Sequence, residues 1–210
     1  MRSVFVNPER CIGCRQCEIA CAIEHSTGKD ITAFSESPVP RKRVHVQPGE
    51  ATTAFPNRCR HCDPAPCQQV CPTGAISRDE RHGVVLVDPG RCIGCAMCAV
   101  VCPFDVITFH PLVGGPGPQT AVAVKCDGCV ARLEGGVDPA CVEACKVDAL
   151  VFGELNALVA QAQLRETGAV LAAAGPTSAR TAQDPLLTWH ALGRATTELA
   201  DHAASQGGAR

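Results

Sequence analysis

The sequence predicts an α+β fold, with two nested modules of short strands and helices over residues 1–153 and a C-terminal helical extension over 154–210. Three observations predict it. Sixteen cysteines fall into four sets of four, all before residue 146. A phrase beginning at Cys71-Pro72 is written again at Cys102-Pro103, each time leading into a short apolar piece. After Phe152 cysteine disappears and alanine dominates.

The four cysteine sets carry the chemistry. Cys11, Cys14, Cys17 and Cys21 read C-x2-C-x2-C-x3-C, and Cys92, Cys95, Cys98 and Cys102 repeat that pattern. Cys59, Cys62, Cys67 and Cys71 read C-x2-C-x4-C-x3-C, and Cys126, Cys129, Cys141 and Cys145 read C-x2-C-x11-C-x3-C. A tetranuclear iron–sulfur cluster takes four thiolates, so sixteen cysteines suffice for four [4Fe–4S] clusters with none left over. Disulfides and zinc are the competing readings. Disulfide scaffolds belong to shorter secreted chains. A tetrahedral zinc site joins two separated pairs, whereas here three cysteines fall within seven residues, and Cys-Pro closes a bacterial iron–sulfur run. Glycine before the second cysteine, Gly13 and Gly94, supplies a positive φ that curls the chain and turns backbone N–H groups toward the sulfur. The fourth cysteine of a run is expected to begin a short helix and to serve the other cluster of a pair, with Pro72 and Pro103 at the first helical position.

The elements follow in order. His25–Gln47 contains Gly28, Pro38 and Pro40 and a basic Arg41-Lys42-Arg43, read as a solvated edge or as a docking patch for an acidic partner. Val44–Val46 is a candidate strand. The second and third cysteine sets form an inner module at about residues 52–110, with strands at Val84–Val87 and Val106–Phe109. Gly114–Pro118 is a loop without the lysine and serine of a phosphate cradle. Cys145-Lys146-Val147-Asp148-Ala149-Leu150 echoes the repeated phrase without proline. The first and fourth sets, in residues 1–51 and 111–153, therefore read as a diverged copy split around the inner one. Helices are expected over Glu154–Ala174 and about Leu186–Ala204, either as a plain helical cap and tail or as a docking arm anchored by Trp189. His25, His45, His61 and His82 are read as surface or hydrogen-bonding residues, since the cysteines already balance.

Composition narrows the function. A formal net charge of −2 gives no field that would attract nucleic acid or an acidic membrane. Aromatic residues make up 3 %, with no tyrosine, so clusters must fill much of the interior and the metal-free chain is expected to fold poorly. No apolar run approaches a membrane span and no signal-peptide pattern precedes Pro8, so the expected location is the cytoplasm. No nucleophile–base pair, carboxylate pair or nucleotide fingerprint stands out, so no substrate site is expected.

The order of the four runs resembles the four-cluster ferredoxin-like electron-transfer subunits of molybdenum and tungsten oxidoreductases, formate-linked hydrogenases and nickel carbon monoxide dehydrogenases. Asn7-Pro8-Glu9-Arg10-Cys11-Ile12-Gly13-Cys14 and the stretch from Cys17 to Ser26 look most like the carbon monoxide dehydrogenase-associated or aldehyde oxidoreductase-associated branch. Arg58-Cys59-Arg60-His61-Cys62-Asp63-Pro64-Ala65-Pro66-Cys67 is shared more widely. The resemblance covers about residues 4–153 and implies two nested ferredoxin-like dicluster modules. It also implies crossed ligation: Cys11, Cys14, Cys17 and Cys145 hold one cluster, and Cys126, Cys129, Cys141 and Cys21 hold its neighbour. Cys59, Cys62, Cys67 and Cys102 hold a third, and Cys92, Cys95, Cys98 and Cys71 a fourth. Relatives with a three-iron cluster carry tryptophan at the position of Cys95, so four tetranuclear clusters are expected. The implied partners are a catalytic oxidoreductase subunit and a second redox protein or flavoprotein. The alternatives are a self-stacking subunit in a conducting filament, a redox sensor and a zinc-binding module.

Overall fold

The computed structural model describes residues 2–49, 54–111 and 121–173, together with residue 193. The chain divides into two compact units, Met1–Leu155 and Asn156–Arg210. The described residues of the first unit form four antiparallel two-stranded ribbons. Strand β1 (Arg2–Val6) pairs with β8 (Leu150–Glu154), and β2 (Val44–Pro48) pairs with β3 (Ala54–Arg58). Strand β4 (Ile76–Asp79) pairs with β5 (Val84–Val87), and β6 (Thr108–Pro111) pairs with β7 (Ala121–Val124). Isolated ribbons of four or five residues are marginal by themselves, so they depend on what packs against them.

Short helices supply that packing. They are α1 (Gln16–Glu24), α2 (Pro66–Gln69), α3 (Met97–Val100), α4 (Val130–Glu134) and α5 (Ala140–Glu143). Two separate apolar clusters result. One gathers Val4, Val44, Val46, Ala54 and Leu150 around Cys17, Cys21 and Cys141. The other gathers Ala65, Ile76, Val85, Ile107 and Ala123 around Cys98. The pairing of β1 with β8 joins the start of the chain to residues 150–154, and Asn7 reinforces it. Its backbone N–H donates to the Ala149 carbonyl at 2.8 Å and its side-chain amide to the Asp148 carbonyl at 3.0 Å.

Several expectations need correction. The third cysteine of each run sits in a helix, Cys17 in α1, Cys67 in α2, Cys98 in α3 and Cys141 in α5, and no fourth cysteine begins one. Cys71, Cys102 and Cys145 follow the helix ends, and Cys21 stays inside the longer α1. Pro72 and Pro103 accordingly occupy turns. The Gly74 N–H donates to the Cys71 carbonyl at 3.2 Å and the Asp105 N–H to the Cys102 carbonyl at 3.4 Å. A ring-fixed φ near −65° suits the second position of such a turn as well as it suits a helix start, which is why the sequence signal was ambiguous. The strand expected at Val106–Phe109 begins two residues later, at Thr108. Val106 and Ile107 are apolar because they are buried, not because they pair. Val84–Val87 and the Val44–Val46 strand lie where they were expected, the latter extended to Pro48.

Helix α6 (Leu155–Ala173) occupies most of the stretch expected as the first helix of the extension, and no residue in it is buried. The helix expected near Leu186–Ala204, and Trp189 within it, lie outside the described residues. No helix among the described residues is long and apolar enough to cross a membrane.

Candidate metal centres

Each cysteine run is bent by the residue before its second cysteine. Gly13, His61, Gly94 and Gly128 all have positive φ, at 70°, 50°, 68° and 70°. The sequence singled out Gly13 and Gly94. Gly128 carries the same signal in the fourth run, and His61 shows that a side chain is accepted where something holds it. At Gly94 nothing else fits: a Cβ there would lie 2.5 Å from the Ala121 carbonyl oxygen. The curled backbone turns N–H groups onto sulfur. His61 N–H donates to Cys59 Sγ at 3.4 Å, and Gly128 N–H to Cys126 Sγ at 3.4 Å. Neighbouring strands and loops add Ala123 N–H to Cys92 Sγ, Leu150 N–H to Cys145 Sγ and Arg43 N–H to Cys21 Sγ, at 3.4, 3.4 and 3.2 Å.

The fold then gathers cysteines from different runs. One cavity is lined by Cys59, Cys62, Cys67 and Cys102, with His61, Lys125 and Val85 beside them. A second is lined by Cys71, Cys92, Cys95 and Cys98, with Ile93, Ala96, Phe109 and Ala123. Cys17 lies within electrostatic reach of Cys145 and Cys11, and Cys11 and Cys145 pack on the first apolar cluster. Cys141 lies within reach of Cys126, Cys21 and Cys129. Cys14 and Cys95 are exposed.

These thiols are poorly suited to stand as thiolates without a cation. Burial pushes Cys17, Cys21 and Cys129 up to about 12, Cys98 up to about 11 and Cys141 higher still, with neighbouring cysteines adding to the rise. Cys59 moves the other way. Burial opposes its ionisation, but the charge of Lys125 and the His61 backbone N–H lower its value. The donor set is thus all sulfur, partly buried, and surrounded by N–H groups. It fits an iron–sulfur cluster, whose iron binds thiolate and whose sulfides accept N–H bonds.

Charged residues lock the runs to the rest of the unit. Asp127, inside the fourth run, accepts from Arg43 Nη1 at 2.6 Å and from the Cys129 N–H at 3.0 Å, while His25 Nε2 lies 3.2 Å from its oxygens. Burial opposes its ionisation, yet the His25 bond and the Arg43 charge hold its carboxyl well below the usual carboxylate range. Buried Glu18 accepts from the Val46 N–H at 2.7 Å and pairs with Lys42 at 2.7 Å. Two residues of the basic triplet, Lys42 and Arg43, thus carry ion pairs within the unit, while Arg41 is exposed. His61 is buried, and its Nδ1 accepts the Val85 N–H at 3.1 Å, so its proton belongs on Nε2. Arg58 and Lys125 are buried as well. Nothing in the local sequence marks Glu18, Arg58, Lys125 or Asp127 apart from their nearness to cysteines.

Known proteins place this chemistry. The chain matches the family model of the 4Fe-4S dicluster domain over residues 51–155 and that of the 4Fe-4S binding domain over residues 4–21. It is 42 % identical over 158 residues to the thiosulfate reductase electron transfer subunit PhsB of Salmonella typhi, covering 70 % of this chain and 73 % of the relative. It is 39 % identical over 166 residues to the electron transport protein HydN of Escherichia coli K12, covering 75 % and 90 %. Identity to a tetrathionate reductase subunit of Salmonella typhimurium is 38 % over 157 residues, covering 73 % and 58 %. With sixteen cysteines in four tetranuclear sets, the cofactor content is four [4Fe–4S] clusters, and the chain belongs to the family of 4Fe-4S dicluster, ferredoxin-type electron-transfer subunits.

Proposed function

We propose that this chain is the electron-transfer subunit of an oxidoreductase complex, standing between a catalytic subunit and a second redox protein. Cys11, Cys14, Cys17 and Cys145 would hold one cluster, and Cys126, Cys129, Cys141 and Cys21 the next. Cys59, Cys62, Cys67 and Cys102 would hold the third, and Cys92, Cys95, Cys98 and Cys71 the fourth. The observation that carries this reading is that two cavities are each lined by four cysteines, three from one run and the last from another. A bound cluster accepts and releases one electron at a time.

The chain's own residues space and insulate those sites. Helices α2 and α3 carry Cys67 and Cys98, and the turns after them return Cys71 and Cys102 to the opposite cavity. Ile76, Val85, Ile107 and Ala123 exclude water between the two. The outer residues 1–51 and 111–153 repeat the plan around the inner module, supported by the β1–β8 pairing and the separate apolar cluster beneath it. The names of the relatives support a catalytic partner of the reductase kind. The resemblance of residues 7–26 favours, within that class, a carbon monoxide dehydrogenase or aldehyde oxidoreductase partner.

The test is iron and acid-labile sulfide on the anaerobically purified full chain, expected near sixteen atoms each, one for each cysteine. Cys62→Ser and Cys95→Ser should each remove or convert one cluster and leave three, with different paramagnetic signals lost in the two variants. Loss of the same signal in both, or unchanged iron in either, overturns the ligand sets. Anaerobic co-purification identifies the catalytic partner.

A further inference from the structure

Two cations lie inside the first unit without an anionic side chain to meet them. Arg58 is 2 % exposed and Lys125 is 4 % exposed, and among the described residues neither forms an ion pair with a carboxylate. Arg58 Nη1 donates to the Val4 carbonyl at 3.1 Å and Nη2 to Cys126 Sγ at 3.8 Å, while its Nε is buried without a partner. Lys125 Nζ donates to the carbonyls of Val85 and Cys126, and the side chain lines the cavity of Cys59, Cys62, Cys67 and Cys102. Carbonyl oxygens satisfy hydrogen bonds but do not neutralise charge, and an uncompensated buried ion costs several kcal/mol. Among the described residues it is cysteine sulfur that stands beside them: Arg58 feels Cys126, Cys141 and Cys59, and Lys125 lines the Cys59 cavity.

The other two cysteine sets are treated differently. Beside Cys17 stands buried Glu18, an anion already paired with Lys42. The cavity of Cys71, Cys92, Cys95 and Cys98 has no charged side chain in its lining. Arg91, close by, is exposed and spends its guanidinium on the Thr73 carbonyl at 2.8 Å.

We infer that Arg58 and Lys125 are potential-setting residues, whose buried charge favours the added electron at the Cys59 and Cys126 sets over the Cys11 and Cys92 sets. A cluster with four thiolates is already anionic, and one-electron reduction by an external donor adds a further negative charge. A fixed cation in a medium of low dielectric stabilises the reduced form more than the oxidised one. This inference rests on the four-cluster assignment above.

The experiment is a dithionite titration of the iron-loaded full chain, followed by electron paramagnetic resonance. Lys125→Met should lower one midpoint by at least about tenfold in the reduction equilibrium, about 59 mV for one electron. That midpoint should belong to the signal missing from Cys62→Ser. Lys125→Arg should keep it, because the charge is retained. Arg58→Gln should lower the Cys126-set midpoint in the same direction. Should Lys125→Met fail to load, Lys125→Gln is titrated in its place, and a chain that loads with arginine but with neither neutral residue makes the charge structural and overturns the inference. Unmoved midpoints in a Lys125→Met chain with four clusters overturn the inference alone, as does an equal fall of all four. Failure of every Lys125 variant to load makes the residue structural and also overturns it. A natural chain that takes up no iron overturns the cluster assignment and this inference with it.

Discussion

The two inner cavities are written with the same words and surrounded by different neighbours. Each has four cysteines, a helix of four residues carrying the third, and a Cys-Pro turn delivering the fourth from the other run. Around Cys92, Cys95 and Cys98 the lining is Ile93, Ala96, Phe109 and Ala123. Around Cys59, Cys62 and Cys67 it includes His61 and Lys125. Even the bend before the second cysteine differs, with Gly94 pressed against the Ala121 carbonyl and His61 held by the Val85 N–H. Ligand count is thus a property of spacing, whereas the field at the ligands is a property of what the fold brings alongside.

Removing the metal should erase the comparison altogether, and it carries the largest expected effect. The two apolar clusters are small and contain cysteines, so stripping iron with a chelator under reducing conditions should unfold both inner cavities together. Far-ultraviolet circular dichroism and proteolysis would show loss of the strands within residues 2–154, and a metal-free chain that keeps its protection would break this expectation.

Gly94→Ala tests the sterically closed side. A Cβ 2.5 Å from a backbone oxygen, at a φ of +68°, should destabilise the chain by about 2–3 kcal/mol and disturb the cluster of the Cys92 set first. Gly136→Ala, at φ +73° with nothing within 4 Å, isolates the backbone strain and should cost only about 1 kcal/mol. Denaturant midpoints of the loaded proteins check both, and equal losses would show that the Ala121 contact is unimportant.

The smallest effect is expected outside both cavities. Arg132 Nη1 donates to Glu24 at 3.0 Å and Nη2 to Glu143, so Arg132→Ala should cost about 1 kcal/mol and leave both cavities alike. Burial opposes the ionisation of Glu24, but Lys29 and Arg132 lower its value below the ordinary one. A carboxyl depressed in the folded state stabilises above its unfolded pKa, and that contribution fades as the pH falls through its folded value. Cluster sulfide is lost in acid, so the contribution is read at neutral pH, where Glu24 is ionised and it is fully present, as a lowered denaturant midpoint of loaded Arg132→Ala against the natural chain. Equal midpoints would show that the Arg132 pairs contribute nothing.

Much of the site was legible because ligand spacing is local. The four runs, the glycines at 13 and 94 and the strand at Val84–Val87 needed only neighbouring residues to be seen. The Cys-Pro steps were visible too, but their meaning was not, since the same ring geometry serves a helix start and a turn. The strand at Thr108 was misplaced by two residues because burial and pairing leave the same apolar signature. The basic triplet was read as surface because its partners, Glu18 and Asp127, stand 24 and 84 residues from Lys42 and Arg43.

By itself the sequence determined how many thiolates there are, how they are grouped, and that an all-sulfur iron site is the chemistry they suit. Those are consequences of covalent spacing, which survives unfolding. Tertiary structure alone decided which charges face which sulfurs. Arg58 ends the strand before the second run and Lys125 precedes the fourth run, yet both lie buried beside Cys126, with Lys125 also lining the Cys59 cavity. Electrostatic neighbours across a core are set by packing over long loops, and no local pattern of residue types records them.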